Sequence, residues 1–167
     1  MNRTPPAAAP RRTAGILIAS TRAAAGTYQD ECGPLISDWL YALDFDVVLA
    51  EVVPDGDAVG ASLRRILALE PSVLLTSGGT GLSPDDVTPE ATEPLLERQV
   101  PGVMEAIRAK GLAATPMAAI SRGFAGTAGR TFVVNLPGSP SAVADGLAVL
   151  EPIIGHICGQ LEGKRVH

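Results

Sequence analysis

Four aspartates and four glycines crowd into two short stretches of this chain, VVPDGD (52–57) and SVLLTSGGTGLSPDDVTPEAT (72–92). Gly78, Gly79 and Gly81 let a backbone turn sharply and approach a ligand closely, so that N–H groups meet it directly. A strand, a glycine turn and a helix start in that order are a common way to build a phosphate site. Carboxylates beside a phosphate repel it unless a hard cation lies between them, and Mg²⁺ commonly takes one or two carboxylates plus phosphate oxygens. Asp85 and Asp86 are neighbours whose side chains diverge, so at most one of them enters a shared pocket. Asp55 follows Pro54 and leaves its strand on the side that faces Asp86. Two such carboxylates suit a metal ion or the positioning of a nucleophile. They also have plainer uses: Asp85 and Asp86 suit a helix N-terminus, and Asp55 with Asp57 suits a turn or cap.

The glycine loop is neither a P-loop, since no Lys-Ser/Thr follows it, nor a dinucleotide fingerprint, since GGTG lacks the last glycine. A second turn, NLPGSPS (135–141), offers backbone amides to an anion, while capping by Ser139 or Ser141 explains its hydroxyls equally well. Arg22 and Arg122 are candidate phosphate clamps. His156 stands in an apolar helical pattern with no partner, so no Ser-His-Asp or Cys-His arrangement can be assembled. Cys32 and Cys158 are too few for a disulfide framework and lack metal-ligand spacing.

These residues must be positioned by strands and helices. GILIAS (15–20), FDVVLAEVV (45–53), the apolar run at 73–75 and TFVVNL (131–136) read as strands. Residues 21–33 read as a loop, with Pro34 opening a helix. Asp57 caps a second helix whose Val59, Leu63, Ile66 and Leu67 share a face. Thr88 caps a third whose first position is Pro89. Residues 89–110 read as helical with a break near Pro101-Gly102, and the last helix carries Val143, Leu147, Leu150, Ile154, Ile157 and Leu161 on one side, bent at Pro152. The alternation predicts a three-layer, doubly wound α/β fold: a mostly parallel sheet with helices on both faces. Ligands in such sheets bind beyond the carboxyl ends of the strands. Four exits meet that rule: Ser20-Thr21-Arg22, Pro54-Asp55, 77–86 and 135–141.

The 167 residues include 13 Lys plus Arg against 18 Asp plus Glu, a net charge of −5, so no global basic field exists to hold nucleic acid. Residues 1–13, with three prolines and three arginines, read as a flexible tail and 14–163 as a single domain. No signal-peptide pattern is present, and no continuous apolar run reaches membrane-spanning length. A reducing cytoplasm is the expected location.

Taken together, GILIASTRAAAGTYQDECGPLI, VVPDGD, TSGGTGLSPDDVTPEAT and NLPGSPSAV resemble, in order, the motifs of the molybdenum-cofactor biosynthesis domain family. That family includes the molybdopterin adenylyltransferases and the MoaB-type proteins. The resemblance covers about residues 14 to 160, and the long central motif is its specific part. It implies a doubly wound α/β domain, usually a homotrimer, that uses Mg²⁺ to transfer AMP from ATP to the terminal phosphate of molybdopterin, releasing pyrophosphate. The product then passes to a separate molybdenum-inserting protein. It further implies that Asp55 and Asp86 are the functional, metal-binding carboxylates. By the same resemblance Gly78, Gly79, Thr80 and Gly81 would form the pterin-phosphate loop, and Ser20, Arg22, Ser77, Pro137, Gly138 and Ser139 would be the other substrate-binding residues. A MoaB-like role in binding pterin without adenylylation is the alternative, and the related competence-damage domain a third. Two positions depart from the family pattern: Asp85 replaces a common arginine, and Thr21 a common aspartate.

Overall fold

Strands buried on both faces need apolar residues at successive positions, and three runs in this chain supply them. In the computed structural model, which describes residues 10–164, β1 (Arg12–Ala19), β3 (Val73–Ser77) and β6 (Thr131–Leu136) form the centre of a six-stranded sheet. Side chains alternate across the pleat. Ile16, Ile18, Val73, Leu75, Phe132 and Val134 enter one core with α2 (Cys32–Ala42), α5 (Pro101–Leu112) and α6 (Pro140–Leu161). Leu17, Ala19, Leu74 and Val133 enter a second core with Val59, Leu63 and Ile66 of α3 (Asp57–Leu67). The expected three layers are present, and Leu67 lies only at the margin of the second core.

The strand order is β2-β1-β3-β6-β5-β4, with β2 (Phe45–Val53), β1, β3 and β6 parallel. The order reverses between β1 and β3, the switch point at which ligands of such sheets gather. β5 (Ala125–Ala128) and the two-residue β4 (Arg98–Gln99) complete the far edge through antiparallel pairing. β5 is absent from the sequence reading because its residues, AGTA, have little strand propensity. A two-residue loop at Gly129-Arg130 folds it back against β6, so tertiary pairing makes it a strand.

Several boundaries differ from expectation. β1 begins at Arg12, inside the segment read as tail; residues 1–9 lie outside the described residues. The loop read over 21–33 contains a one-turn helix, α1 (Thr21–Ala24), capped by Ser20 Oγ, which accepts the Ala23 N–H at 3.2 Å. α2 starts two residues before Pro34 because Asp30 accepts the N–H groups of Cys32 and Gly33. Asp57 lies in the first turn of α3, and Gly56 is the N-cap. Thr88 is the first residue of α4 (Thr88–Thr92), whose N-cap is Val87; its hydroxyl caps nothing. The segment 89–110 is α4, a 3₁₀ turn, β4 and then α5, which Pro101 opens. α6 runs through Pro152 as one helix. At 22 residues it is long and apolar enough to cross a membrane by composition, yet Val143, Leu147, Leu150, Ile154 and Cys158 are packed in the first core.

Candidate active site

The carboxyl ends of the four parallel strands are tied in two pairs at one rim. Ser20 N–H donates to Val53 O at 2.9 Å, joining the exits of β1 and β2. Gly78 N–H donates to Leu136 O at 3.2 Å, joining those of β3 and β6. Ser77 Oγ donates to Pro137 O at 2.8 Å, and the Cys32 thiol contacts Gly138 O at 3.5 Å. A trans peptide points its N–H opposite its carbonyl, so these contacts turn the Gly138 and Ser139 amides away from the core. Burial pushes the Cys32 thiol pKa up, which keeps it protonated as a donor.

Glycine is required at the centre of this rim. Gly78 and Gly79 have φ of +91° and +66°, the left-handed region. A methyl group at Gly78 would lie 2.2 Å from Ala19 O, and one at Gly79 would lie 2.2 Å from Thr88 Oγ1 and 3.4 Å from Asp55 Oδ1. The Gly138 turn rests on the same loop, its own missing methyl 3.3 Å from Gly78 Cα. Among the described residues, the amides of Gly79, Thr80 and Gly81 donate to no protein acceptor, whereas that of Gly78 is engaged within the fold. Three consecutive N–H groups without a protein acceptor after a strand are donors available to an anion.

The two carboxylates flank this loop, each with one oxygen occupied. Asp55 Oδ2 accepts from Thr21 N at 3.0 Å and Thr21 Oγ1 at 2.9 Å, while Thr21 Oγ1 accepts in turn from Asp55 N at 3.1 Å. Thr21, one of the two departures from the family pattern, therefore fixes Asp55 reciprocally. Asp86 Oδ2 accepts from Ser83 N at 2.9 Å and lies 2.8 Å from where a Gly81 methyl would sit. Asp86 is half-buried and Asp85 exposed, so the neighbours diverge and Asp86 is the one beside the glycines. Oδ1 of Asp55 and of Asp86 accepts no protein hydrogen bond among the described residues. No group of three or more His, Cys, Asp or Glu able to hold a metal occurs among them.

The arginines divide in role. The Arg22 guanidinium stacks 5.0 Å above the Tyr28 ring, and Tyr28 lines a small cavity of about 40 Å³ together with Ser20, Ser77 and Gly78. Arg122, read from sequence as a phosphate clamp, instead holds carbonyls of the glycine loop. On the other side of Gly138, a concavity of about 190 Å³ is lined by Ile107, Met117, Ala118, Ser121, Pro137 and Ser139, together with Arg108 and Asp145. Ser139 caps α6 by accepting the Ala142 N–H at 3.3 Å. Pro137, Gly138 and Ser139 of this pocket belong to the turn named from the sequence, but its apolar walls were not legible there, because they come from α5, the 3₁₀ turn at 116–120 and α6.

The chain is similar along most of its length to proteins of one family. Residues 15–156 match the family described as "Probable molybdopterin binding domain". The chain is 35% identical over 154 residues to the molybdopterin adenylyltransferase of Helicobacter pylori, covering 90% of this chain and 88% of that protein. It is 38% identical over 151 residues to the molybdenum cofactor biosynthesis bifunctional protein of Synechococcus elongatus, with 90% of this chain covered. The match takes in 47% of that protein, so the chain spans about half the length of this relative. The solved structure of the molybdopterin biosynthesis Mog protein from Mycobacterium ulcerans superposes with a TM-score of 0.87 at 46% identity, covering 93% of this chain and 99% of that one. With most of its length matched and the fold shared, the chain belongs to the probable molybdopterin binding domain family.

Proposed function

We propose that this chain acts in molybdenum cofactor biosynthesis, binding molybdopterin and transferring AMP from ATP to its terminal phosphate with release of pyrophosphate. What supports this most is a glycine loop with three free amides flanked by two carboxylates, each with one oxygen held inside the protein and one not. The apolar concavity beside Gly138 suits a flat heterocycle, and the amides of Gly79, Thr80, Gly81, Gly138 and Ser139 suit the phosphate it carries. The pterin phosphate is already an anion at neutral pH, its second ionisation lying near about 6, so no general base is required. One of its oxygens bonds to the α-phosphorus of ATP, the bond from that phosphorus to the bridging oxygen breaks, and pyrophosphate leaves. Such transfers depend on positioning and charge neutralisation.

Asp55 and Asp86 would hold Mg²⁺, which suits a pair of carboxylates because it takes its remaining ligands from water and phosphate oxygens, and which when bound neutralises charge on the transferring phosphoryl group. Thr21 and Ser83 orient those carboxylates toward the loop. We assign the outer phosphates to Arg22, whose guanidinium is stacked on Tyr28. This reading puts the reaction in the cytoplasm, on a homotrimer that hands its product to a molybdenum-inserting protein. A light-scattering mass near three times the 17.1 kDa chain is the expected result, and a monomer mass would contradict the trimer.

Incubation with molybdopterin, ATP and Mg²⁺ should yield AMP-linked pterin and pyrophosphate. Asp86→Asn should lower that yield by about 10²-fold or more, the usual scale for losing an electrostatic element of a transition state, with pterin affinity nearly unchanged. One observation favours the alternative of pterin binding without transfer: Asp85 adds an exposed acid beside Asp86 where the family often has arginine. Tight pterin binding with no pyrophosphate release would establish that alternative.

A further inference from the structure

The loop that carries Asp86 is fastened from a distant part of the chain. Arg122 follows Gly81 by 41 residues, yet its Nε–H donates to Gly81 O at 2.8 Å. Its Nη2 donates to Asp86 O at 2.9 Å, and its backbone N–H donates to Thr80 O at 3.0 Å. Nη1 is paired with the carboxylate of Glu90, on α4 just beyond the loop. Every one of these partners belongs to residues 80–90. Between the two fastened carbonyls, residues 82–85 are exposed and turn through Asp86 N–H to Ser83 O at 3.0 Å. The span therefore has a free tip and two fixed ends.

We propose that Arg122 is the positioning residue of this site. It clamps both ends of the 82–85 turn, so that the three free amides and the Asp86 carboxylate keep one mutual geometry, and Glu90 holds the clamp in place. The planar guanidinium is the only side-chain group that reaches two carbonyls and a carboxylate with separate, fixed donors; a lysine ammonium is a single point. An arginine so engaged is oriented to the protein and not to a substrate phosphate, which separates it from Arg22. The side chain is only 32% exposed, so an unclamped loop would also leave partly buried carbonyls without a donor. For its effect on catalysis the clamp rests on the adenylyl-transfer reading; for its effect on the loop it does not.

The test compares wild type with Arg122→Gln, Arg122→Lys, Glu90→Gln and the Glu90→Gln/Arg122→Gln double variant. Hydrogen exchange is read at the amides of Ser83 and Asp86, alongside pterin Kd and kcat for pyrophosphate release. In Arg122→Gln those amides should exchange about 10-fold faster or more, as for a locally opened segment. Its kcat should fall about 10- to 100-fold with pterin Kd within about 3-fold, the pattern of lost positioning rather than lost binding. Arg122→Lys should behave like Arg122→Gln despite keeping the charge, Glu90→Gln should lie between, and the double variant should be no worse than Arg122→Gln because one residue acts through the other. Wild-type exchange in Arg122→Lys, or a pterin Kd raised about 10-fold with exchange unchanged, would overturn the clamp in favour of a charge or a phosphate contact. If Arg122→Gln fails to fold, Arg122→Lys and Glu90→Gln decide the matter. If the wild-type chain releases no pyrophosphate, the functional reading fails while the exchange measurements still judge the clamp.

Discussion

Asp55 is useful to the site only if one of its oxygens stays free and its carboxylate plane is fixed, and both conditions come from Thr21. The hydroxyl donates to Oδ2 and accepts from the Asp55 amide, closing a small reciprocal ring between the exits of β1 and β2. Thr21→Val keeps the shape and the backbone bond but removes both hydroxyl contacts, so AMP transfer should fall about 10-fold while pterin affinity is unaltered, the cost of a modest misplacement. Thr21→Ser should restore most of it. Equal turnover in Thr21→Val would show that Asp55 needs no such support. Glycines and acids of this rim could be read from the chain because their types limit what they can do: φ > 0 needs Gly78 and Gly79, and oxygen-only ligands belong to Asp. The hydroxyls and arginines could not, since Thr21 meets its partner 34 residues away and Arg122 meets its partners 36 and 41 residues away. The same holds for Asn135, read as a strand exit. It lies fully buried within β6, donating to Thr76 and Thr92 and accepting from Phe124 N–H, and so joins β6 to β3 and α4.

At the scale of elements, the strands with two buried faces were legible because they must be continuous apolar runs, and β5 was not, because its pairing with β6 defines it more than its residues do. The end of α6 farthest from the site shows how such elements are fastened. Arg12, the first residue of β1, donates to both oxygens of Glu162 just beyond α6, at 2.7 and 3.3 Å. That hydrogen bond first, and a second from Lys164, hold the Glu162 carboxyl at about 2, well below its ordinary value. A carboxylate depressed in the folded state contributes stability that is complete above its unfolded pKa of about 4.3 and is lost as pH falls toward its folded value. Wild type should therefore lose more stability than Glu162→Gln between about pH 5 and pH 3. The pair remains about a quarter exposed, with side-chain accessibilities of 30% and 27%, and solvent screening limits the difference to about 1 kcal/mol or less. Urea midpoints at the two pH values measure it, and parallel losses in both proteins would show that the pair contributes nothing.

For the whole molecule, the site is a junction, and its occupancy should be felt by the entire fold. The exits of β1 and β2, and those of β3 and β6, are joined there in pairs by backbone bonds, so a ligand spanning both pairs binds only the folded chain. A ligand of that kind stabilises by RT ln(1 + [L]/Kd), about 2.7 kcal/mol at a hundredfold excess over Kd. The protein carries a net charge of −5 and places Asp55, Asp86 and exposed Asp85 around the loop, so a triphosphate arriving without a cation meets repulsion. On the proposed reading molybdopterin is held by amides and an apolar wall, and so does not depend on that cation in the same way. ATP should therefore raise the unfolding temperature only when Mg²⁺ is present, and a chelator should abolish the rise. Molybdopterin should stabilise with or without Mg²⁺. In Asp86→Asn the ATP-dependent rise should vanish even with Mg²⁺ while the pterin-dependent one persists. If ATP stabilises wild type fully in the presence of chelator, the acids are not managing a divalent ion, and the triphosphate must be neutralised by Arg22 or Arg108 instead.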